Sequence, residues 1–145
     1  MNTIIAAFLI LIAAMQPQGA VGNRQGQGVD RAPAPAGIFA AIQSGILSGN
    51  AEAFSRYFGK QVSVSLRGRE SGYFSSNQAF YIIQDYIGAR HTVSFRFTTV
   101  DDHEPSVYAT GGGTFLRRGM KEIFQVYVAL SKDDNGWTIS QLNVY

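Results

Sequence analysis

The stretch YFSSNQAFYIIQDYIG, residues 73–88, decides the fold of this chain. Ser75 and Gln78 have the Ser-x-x-Gln spacing of a capping box, in which the two side chains satisfy free backbone N–H groups at the start of a helix. Apolar residues then recur at steps of three and four, and Gly88 supplies a terminator. The predicted helix buries one stripe of side chains, namely Ala79, Phe80, Ile83, Tyr86 and Ile87.

Four segments downstream of this helix alternate apolar and polar residues as β-strands do. Short clusters of turn residues separate them, which predicts an antiparallel meander. The segments are residues 92–100, 107–116, 122–130 and 137–144. In the third segment, Phe124, Val126 and Val128 share one face, so we expect one side of the sheet to pack against helices.

Two helices, one strand and an optional second strand at Tyr73 and Phe74 are predicted upstream. The first helix begins near Pro35, because proline suits the first helical turn. Its apolar residues at helical spacing are Ile38, Phe39, Ile42, Ile46 and Leu47. A short second helix follows an Asn50 cap and ends at Gly59. Its apolar face consists of Ala51, Phe54, Tyr57 and Phe58. The alternation of Val62, Val64 and Leu66 then indicates a strand.

The first 35 residues differ in composition from the rest of the chain. Residues 4–14 form an unbroken apolar run, too short for a bilayer span of roughly 20 residues and typical of a signal peptide. A buried N-terminal helix is the alternative. Gly, Gln, Pro and Ala dominate the next stretch, which is too polar to fold alone. We therefore expect a signal peptide over residues 1–20, a flexible tether over 21–35 and a folded domain over 36–145, in a protein exported to the periplasm or the exterior.

Charge and cysteine content narrow the possible partners. The chain has 12 Lys and Arg, 10 Asp and Glu, a net charge of +2 and no cysteine. Disulfides and thiolate metal sites are therefore excluded. The charges are spread along the sequence, so their field is too weak to indicate a nucleic-acid or an anionic-membrane partner. We expect no nucleic-acid partner and no stable membrane insertion. The sequence predicts no metal site and no cofactor.

Four short motifs resemble a known family, namely SGNA at 48–51, YFSSNQA at 73–79, YATG at 108–111 and ISQL at 139–142. With the element order, they make the chain similar to the nuclear transport factor 2-like superfamily, which has a cystatin-like cone fold. Within it, the chain resembles an exported bacterial family named only as a domain of unknown function. The resemblance implies an α+β fold in which a curved antiparallel sheet of four to six strands wraps around three helices. It also implies a homodimer, and it brings no catalytic residues.

Members of that superfamily include isomerases, which need a carboxylate inside an apolar cavity beside a Tyr. Glu122 is the acidic residue that shares parity with a core face, and Asp85 and His91 are the other candidates. Each has an ordinary surface role as its alternative. Related chains often place a His at the end of the third strand, where this chain has residues 98–100, TTV. Whether His103 replaces it stays open, and a metal-binding turn at residues 101–104 is disfavoured because consecutive residues rarely converge.

Two further motifs have structural explanations. Residues 111–113, GGG, lack the Lys-Ser or Lys-Thr of a phosphate loop, so we expect them to bend the sheet. Basic residues cluster at two separate predicted hairpins, Arg67 with Arg69 and Arg117 with Arg118 and Lys121. We interpret both clusters as solubilising hairpin tips.

The sequence favours an exported, non-catalytic binding or interaction module with an apolar, end-opening cavity for a small apolar ligand or peptide. The alternatives are a small isomerase or dehydratase-like enzyme and a structural homodimer without ligand. The residues expected to line the cavity, or else to fill the core, are Phe54, Phe58, Phe80, Tyr86, Phe95, Phe97 and Trp137. The face expected to form the homodimer carries Ile123, Gln125, Tyr127 and Ala129.

Export makes the first testable prediction. Because the apolar run of residues 4–14 precedes a polar tether, the mature protein should begin between Gln16 and Arg24. N-terminal sequencing or intact mass of the released protein measures this directly. Soluble, folded protein that still begins at Met1 would contradict it.

Overall fold

Three helices and six strands make up the computed structural model, which describes residues 32–69 and 71–145. The predicted signal peptide and most of the predicted tether lie outside the described residues. The helices are α1, Pro35–Ser48, α2, Glu52–Ser55, and α3, Ser76–Gly88. The strands are β1, Phe58–Leu66, β2, Ser71–Ser75, β3, His91–Asp101, β4, Val107–Arg117, β5, Met120–Asp133, and β6, Gly136–Val144.

The strands form one sheet in the order β2-β1-β6-β5-β4-β3. The last four strands form the predicted antiparallel meander, and β2 pairs antiparallel with β1. β6 returns to the centre and runs parallel to β1, which gives the sheet its one parallel pair. The predicted α+β class, with three helices and a curved sheet, is confirmed.

Helix α3 begins as its capping box predicts. The Ser75 hydroxyl accepts the Gln78 backbone N–H at 3.3 Å, and the Gln78 side-chain oxygen accepts the Ser75 N–H at 3.1 Å. A helix start leaves four backbone N–H groups without a partner in the helix, and the capping box supplies acceptors for two of them. The buried stripe consists of Ala79, Ile83, Tyr86 and Ile87. Phe80, which was expected in this stripe, is only half-buried.

Helix α2 is shorter than the sequence predicts. The expected helix through Gly59 is wrong, because α2 ends at Ser55 and Phe58 begins β1. The backbone carbonyl of Tyr57 accepts the Ile139 N–H at 2.7 Å, so the chain is already paired with β6 where the helix was expected to continue. Contact with a distant strand outweighs the local helical pattern.

One side chain of α3 fixes the junction between the first two helices. The Gln84 side-chain oxygen accepts the Ala51 N–H at 2.7 Å, and its amide nitrogen donates to the Gly49 carbonyl at 3.1 Å. At the same junction the Phe54 ring lies against Gly45, where a Cβ would overlap it. The end of α1 and the start of α2 are thereby held on α3.

The glycine run in β4, which was expected to bend the sheet, lies where β3 and β4 approach each other closely. The register of β3 slips twice, between Thr92 and Ser94 and between Phe97 and Thr99. Cβ atoms built at Gly111 and Gly113 would overlap backbone atoms of the β3 residues opposite them. These two glycines let the bulged β3 fold in over β4, because no side chain fits in the gap.

A substitution in this gap should cost stability. Gly113→Ala places a methyl group against β3 backbone, so we expect the free energy of unfolding to fall by about 1 to 3 kcal/mol or more. Gly37→Ala is the control, because nothing lies within 4 Å of its added Cβ and alanine suits helix α1. That control should gain up to about 1 kcal/mol. Urea titrations measure both, and equal stability of the two variants would contradict the close approach.

Candidate functional site

The space between the helices and the sheet is the first candidate site, and side chains fill it. A void there has a volume of about 10 Å³. Its walls are Ile46, Phe54, Leu66, Ile83, Ile87, Phe115, Phe124, Val126, Leu142 and Val144. This volume is about that of one water molecule, and hydrocarbon walls offer a water no hydrogen-bond partner. This void has no room for an organic ligand.

The seven aromatic residues predicted to line a cavity pack within or beside this core. Phe54, Phe58, Tyr86 and Phe95 are buried, while Phe80, Phe97 and Trp137 are half-buried. Phe54 is the member of this set that borders the void. A ligand in this void would need the surrounding side chains to move, and the expected end-opening pocket stays a prediction. The role of the aromatic rings as ligand contacts stays a prediction.

None of the acidic candidates lies in the core. Glu122 stands opposite Phe115 at the start of β5, where it pairs with Arg117 at 3.2 Å and with Arg67 at 3.7 Å. Asp85 pairs with Arg69 at 2.9 Å, in an open surface groove beside Tyr81. These carboxylates are held by cations at the surface, an arrangement that contributes modestly to stability.

The histidines also lie at the surface. His91 is exposed at the first position of β3. The His103 backbone N–H donates to Asp101 at 3.1 Å, and its ring lies 3.1 Å from the same carboxylate, which together hold the pKa of Asp101 below its usual value. In the described part of the chain, no three His, Asp or Glu side chains converge in a way that could hold a metal ion.

The second candidate site is the outer sheet face, which we define as the side of the sheet turned away from the helices. Cross-strand pairing places side chains on it in rows that cross all six strands. One row contains Tyr73, Ser63, Gln141, Ala129, Tyr108 and Asp101. The next contains Ser71, Ser65, Asn143, Tyr127, Thr110 and Thr99. The central four strands therefore contribute only uncharged side chains to these two rows.

The residues predicted for a dimer lie on this face. Ile123 is 77% exposed, and Gln125 and Tyr127 follow it along β5. Sequence reasoning missed the neighbouring tyrosines. The Tyr108 ring stacks on Tyr127 with centroids 5.9 Å apart, and Tyr145 accepts a hydrogen bond from Asn143. The register between strands supplies these neighbours, and alternation within one strand does not reveal that register.

A shallow depression of about 320 Å³ lies over β3, β4 and β5, in the half of the sheet that ends at the edge strand β3. Gly111 and Gly112 are among the residues that line it, and neither has a side chain that could fill it. Thr98, Thr110, Gln125, Val126, Tyr127 and Tyr145 surround it. The outer sheet face thus has both a protruding apolar side chain, Ile123, and a recess two residues along the sheet.

Comparison with known proteins identifies the family and the fold. The model of the family described as domain of unknown function (DUF4783) matches residues 39–144. No curated protein matches the chain. Among the described residues, no helix is long and apolar enough to span a membrane.

Solved structures share the fold at low sequence identity. A DUF4783 family protein from Bacteroides ovatus is 21% identical, covers 72% of this chain and 91% of its own, and has a TM-score of 0.60. A ketosteroid isomerase-like protein from Erwinia carotovora atroseptica is 11% identical, with coverages of 75% and 90% and a TM-score of 0.61. The chain called Rd1NTF2_04 with long sheet is 12% identical, with coverages of 77% and 100% and a TM-score of 0.62. The nuclear transport factor 2-like fold is confirmed.

The filled core makes a stability prediction. Phe54 is fully buried and touches the α1–α2 junction, so Phe54→Ala should lower the free energy of unfolding by about 3 to 5 kcal/mol. Tyr81→Ala, on the exposed side of α3, should change it by less than about 0.5 kcal/mol. Chemical unfolding followed by tryptophan fluorescence measures both. A loss below about 1 kcal/mol for Phe54→Ala would show an open cavity at that ring.

Proposed function

The chain belongs to the DUF4783 family, whose name assigns no activity, and on that premise we propose that it is an exported, non-catalytic interaction module that pairs with a second copy of itself through the outer sheet face. The observation that carries this proposal is the contrast between the two sides of the sheet. On the inner side, side chains leave a void of only about 10 Å³. The outer side exposes tyrosines and an isoleucine on an uncharged surface.

Three features of the inner side favour a role without chemistry. The void is smaller than any organic substrate, its walls are hydrocarbon, and the acidic candidates pair with arginines at the surface. Acid–base catalysis needs a proton donor or acceptor within hydrogen-bond reach of the reacting atom. The hydrocarbon walls of this void offer no such group.

The composition of the outer sheet face suits a protein partner. Interfaces are enriched in tyrosine and depleted of charge at their centre. Here Tyr73 is 79% exposed and Ile123 is 77% exposed, which is unusual for apolar groups on a face that stays in water. Arg96 and Asp101 stand on the edge strand β3, so charge is kept at the rim.

A second copy is the partner that this face fits. A two-fold interface requires that one surface complement itself. Ile123 protrudes next to a recess over Gly111 and Gly112, so two copies related by a two-fold axis can each insert a knob into the other's recess. The face is also uncharged at its centre, which removes the like-charge repulsion that symmetric pairing otherwise creates.

A small isomerase is the second candidate, because a relative in fold is described as ketosteroid isomerase-like. Asp85 and Tyr81 line the same groove, so a carboxylate and a phenol lie together as in such an enzyme. That groove is open to solvent and Arg69 already pairs with Asp85. Turnover of a small ketone that Asp85→Asn abolishes would favour the enzyme over the interaction module.

The proposed pairing makes a direct prediction. Ile123→Glu places two like charges near a two-fold axis, so the dimer Kd should rise by more than about 100-fold. Light scattering and sedimentation over a range of concentrations measure it. Tyr81→Glu, an equally drastic change at an exposed site on α3, should leave the dimer intact.

Circular dichroism distinguishes dissociation from misfolding, because an Ile123→Glu monomer should keep the secondary structure of the parent protein. A wild-type protein that stays monomeric at high micromolar concentration would overturn the proposal. An Ile123→Glu variant as dimeric as wild type would exclude the outer sheet face.

A further inference from the structure

The structure brings together basic residues that the sequence places at two separate hairpins. Arg67, at the β1–β2 turn, donates to the backbone carbonyl of Ile123 at 3.1 Å and approaches Glu122 at 3.7 Å. Arg117, at the β4–β5 turn, pairs with the same Glu122 at 3.2 Å. Both turns therefore lie at one end of the sheet. We call the β4–β5 turn with its flanking residues, 116–121, the basic tip.

The basic tip closes the β4–β5 hairpin. Pairing of β4 with β5 continues to Arg117 and Met120, so the turn residues Arg118 and Gly119 stand at the very end of these two strands. The basic tip contains Arg117, Arg118 and Lys121 and no acidic residue, while Arg67 and Glu122 lie beside it. The tip therefore has a net positive charge larger than that of the whole chain.

Arg118 occupies a backbone conformation that disfavours it. Its φ is 51° and that of Gly119 is 78°, as the two centre residues of a tight hairpin turn require. Asn or Gly fits the first of these positions with less strain, and among the described residues Arg118 is the non-glycine residue with positive φ. A cation is thus fixed in the turn at a cost in backbone energy. Such a cost is a sign of function at the position that bears it.

Met120 gives the basic tip an apolar group. It follows directly after the two turn residues and is 64% exposed. A long, unbranched apolar side chain among cations is unfavourable in water and suits the boundary between lipid headgroups and acyl chains.

We propose that the basic tip docks the protein on the surface of an anionic lipid bilayer, with Arg117, Arg118, Lys121 and Arg67 against the headgroups and Met120 among the first carbons of the acyl chains. Each cation near an anionic surface contributes about 1 kcal/mol of binding free energy, which is roughly a five-fold change in affinity. The tip is small and has one apolar residue, so this is reversible surface binding. It leaves the outer sheet face free and does not depend on the proposed pairing.

A bilayer is favoured over a soluble polyanion by the position of Met120. A polyanion gains from the cations alone, and nucleic-acid recognition on a single strand uses aromatic groups between the charges. The basic tip has a methionine, Met120, and no aromatic residue between its charged residues. Met120 is therefore the residue that separates the two kinds of partner.

Vesicle flotation tests the proposal. The probes are vesicles of phosphatidylcholine alone and vesicles that contain phosphatidylglycerol in equal amount. We expect binding to the anionic vesicles at low salt, loss of it at high salt and none to the neutral vesicles. Arg118→Gly should weaken binding about five-fold and raise the unfolding temperature, since glycine relieves the turn. Opposite signs for binding and stability exclude a folding defect as the cause.

Two further variants complete the experiment. Met120→Ser should weaken vesicle binding and leave binding to heparin unchanged, whereas Lys60→Gln, at the opposite end of β1, should bind vesicles as wild type does. Residues 1–31 are the same in every variant, so any contribution from them is shared. Equal binding by wild type and Arg118→Gly, an equal loss in Lys60→Gln, or a Met120→Ser variant that binds vesicles normally would each overturn the proposal. The last outcome, with tight heparin binding, would assign the tip to a polyanion.

Discussion

The rest of the structure depends on the close approach of β3 and β4 at two glycines. Gly113 stands between Phe95 on β3 and Phe124 on β5, and the rings of those neighbours stack over it with centroids 5.6 Å apart. The missing side chain lets the bulged β3 move inward, and the two rings fill the space that remains. Sheet curvature and core packing therefore depend on each other, since the residues that permit the bend also bring the rings together.

That packing determines where function can reside. The Phe124 ring also stacks on Phe115 at 3.7 Å between centroids, next to the small void. Curving the sheet around three helices creates a pocket only if side chains leave room at the open end, and in this chain the aromatic residues occupy it. Enzymes of the same fold need that room and a carboxylate inside it. Fold alone therefore does not carry an activity to this chain.

The sequence predicted most of the fold, because its strongest signals are local. The capping box at Ser75 and Gln78, the strand alternation and the glycine run each depend on neighbours within a few residues. The length of α2 was wrong because its end depends on a hydrogen bond between Tyr57 and Ile139, which are distant in sequence. The surface sites were predicted only in part for the same reason. Alternation gave Ile123 and Tyr127, but register added Tyr108, and only the folded chain places Arg67 beside Glu122.

The two proposed surfaces differ in the physics that each can use. The outer sheet face is broad, aromatic and uncharged at its centre. Binding there would draw its free energy mainly from apolar burial and shape complementarity, so salt should change the affinity little. The basic tip is narrow and charged, so it gains by long-range attraction that salt weakens. Glu122 lies where they meet, since it binds Arg67 and Arg117 while its neighbour Ile123 points to the outer face. Holding those arginines in place keeps their charge at the end of the sheet and away from the tyrosines, so that one small domain can present both surfaces at once.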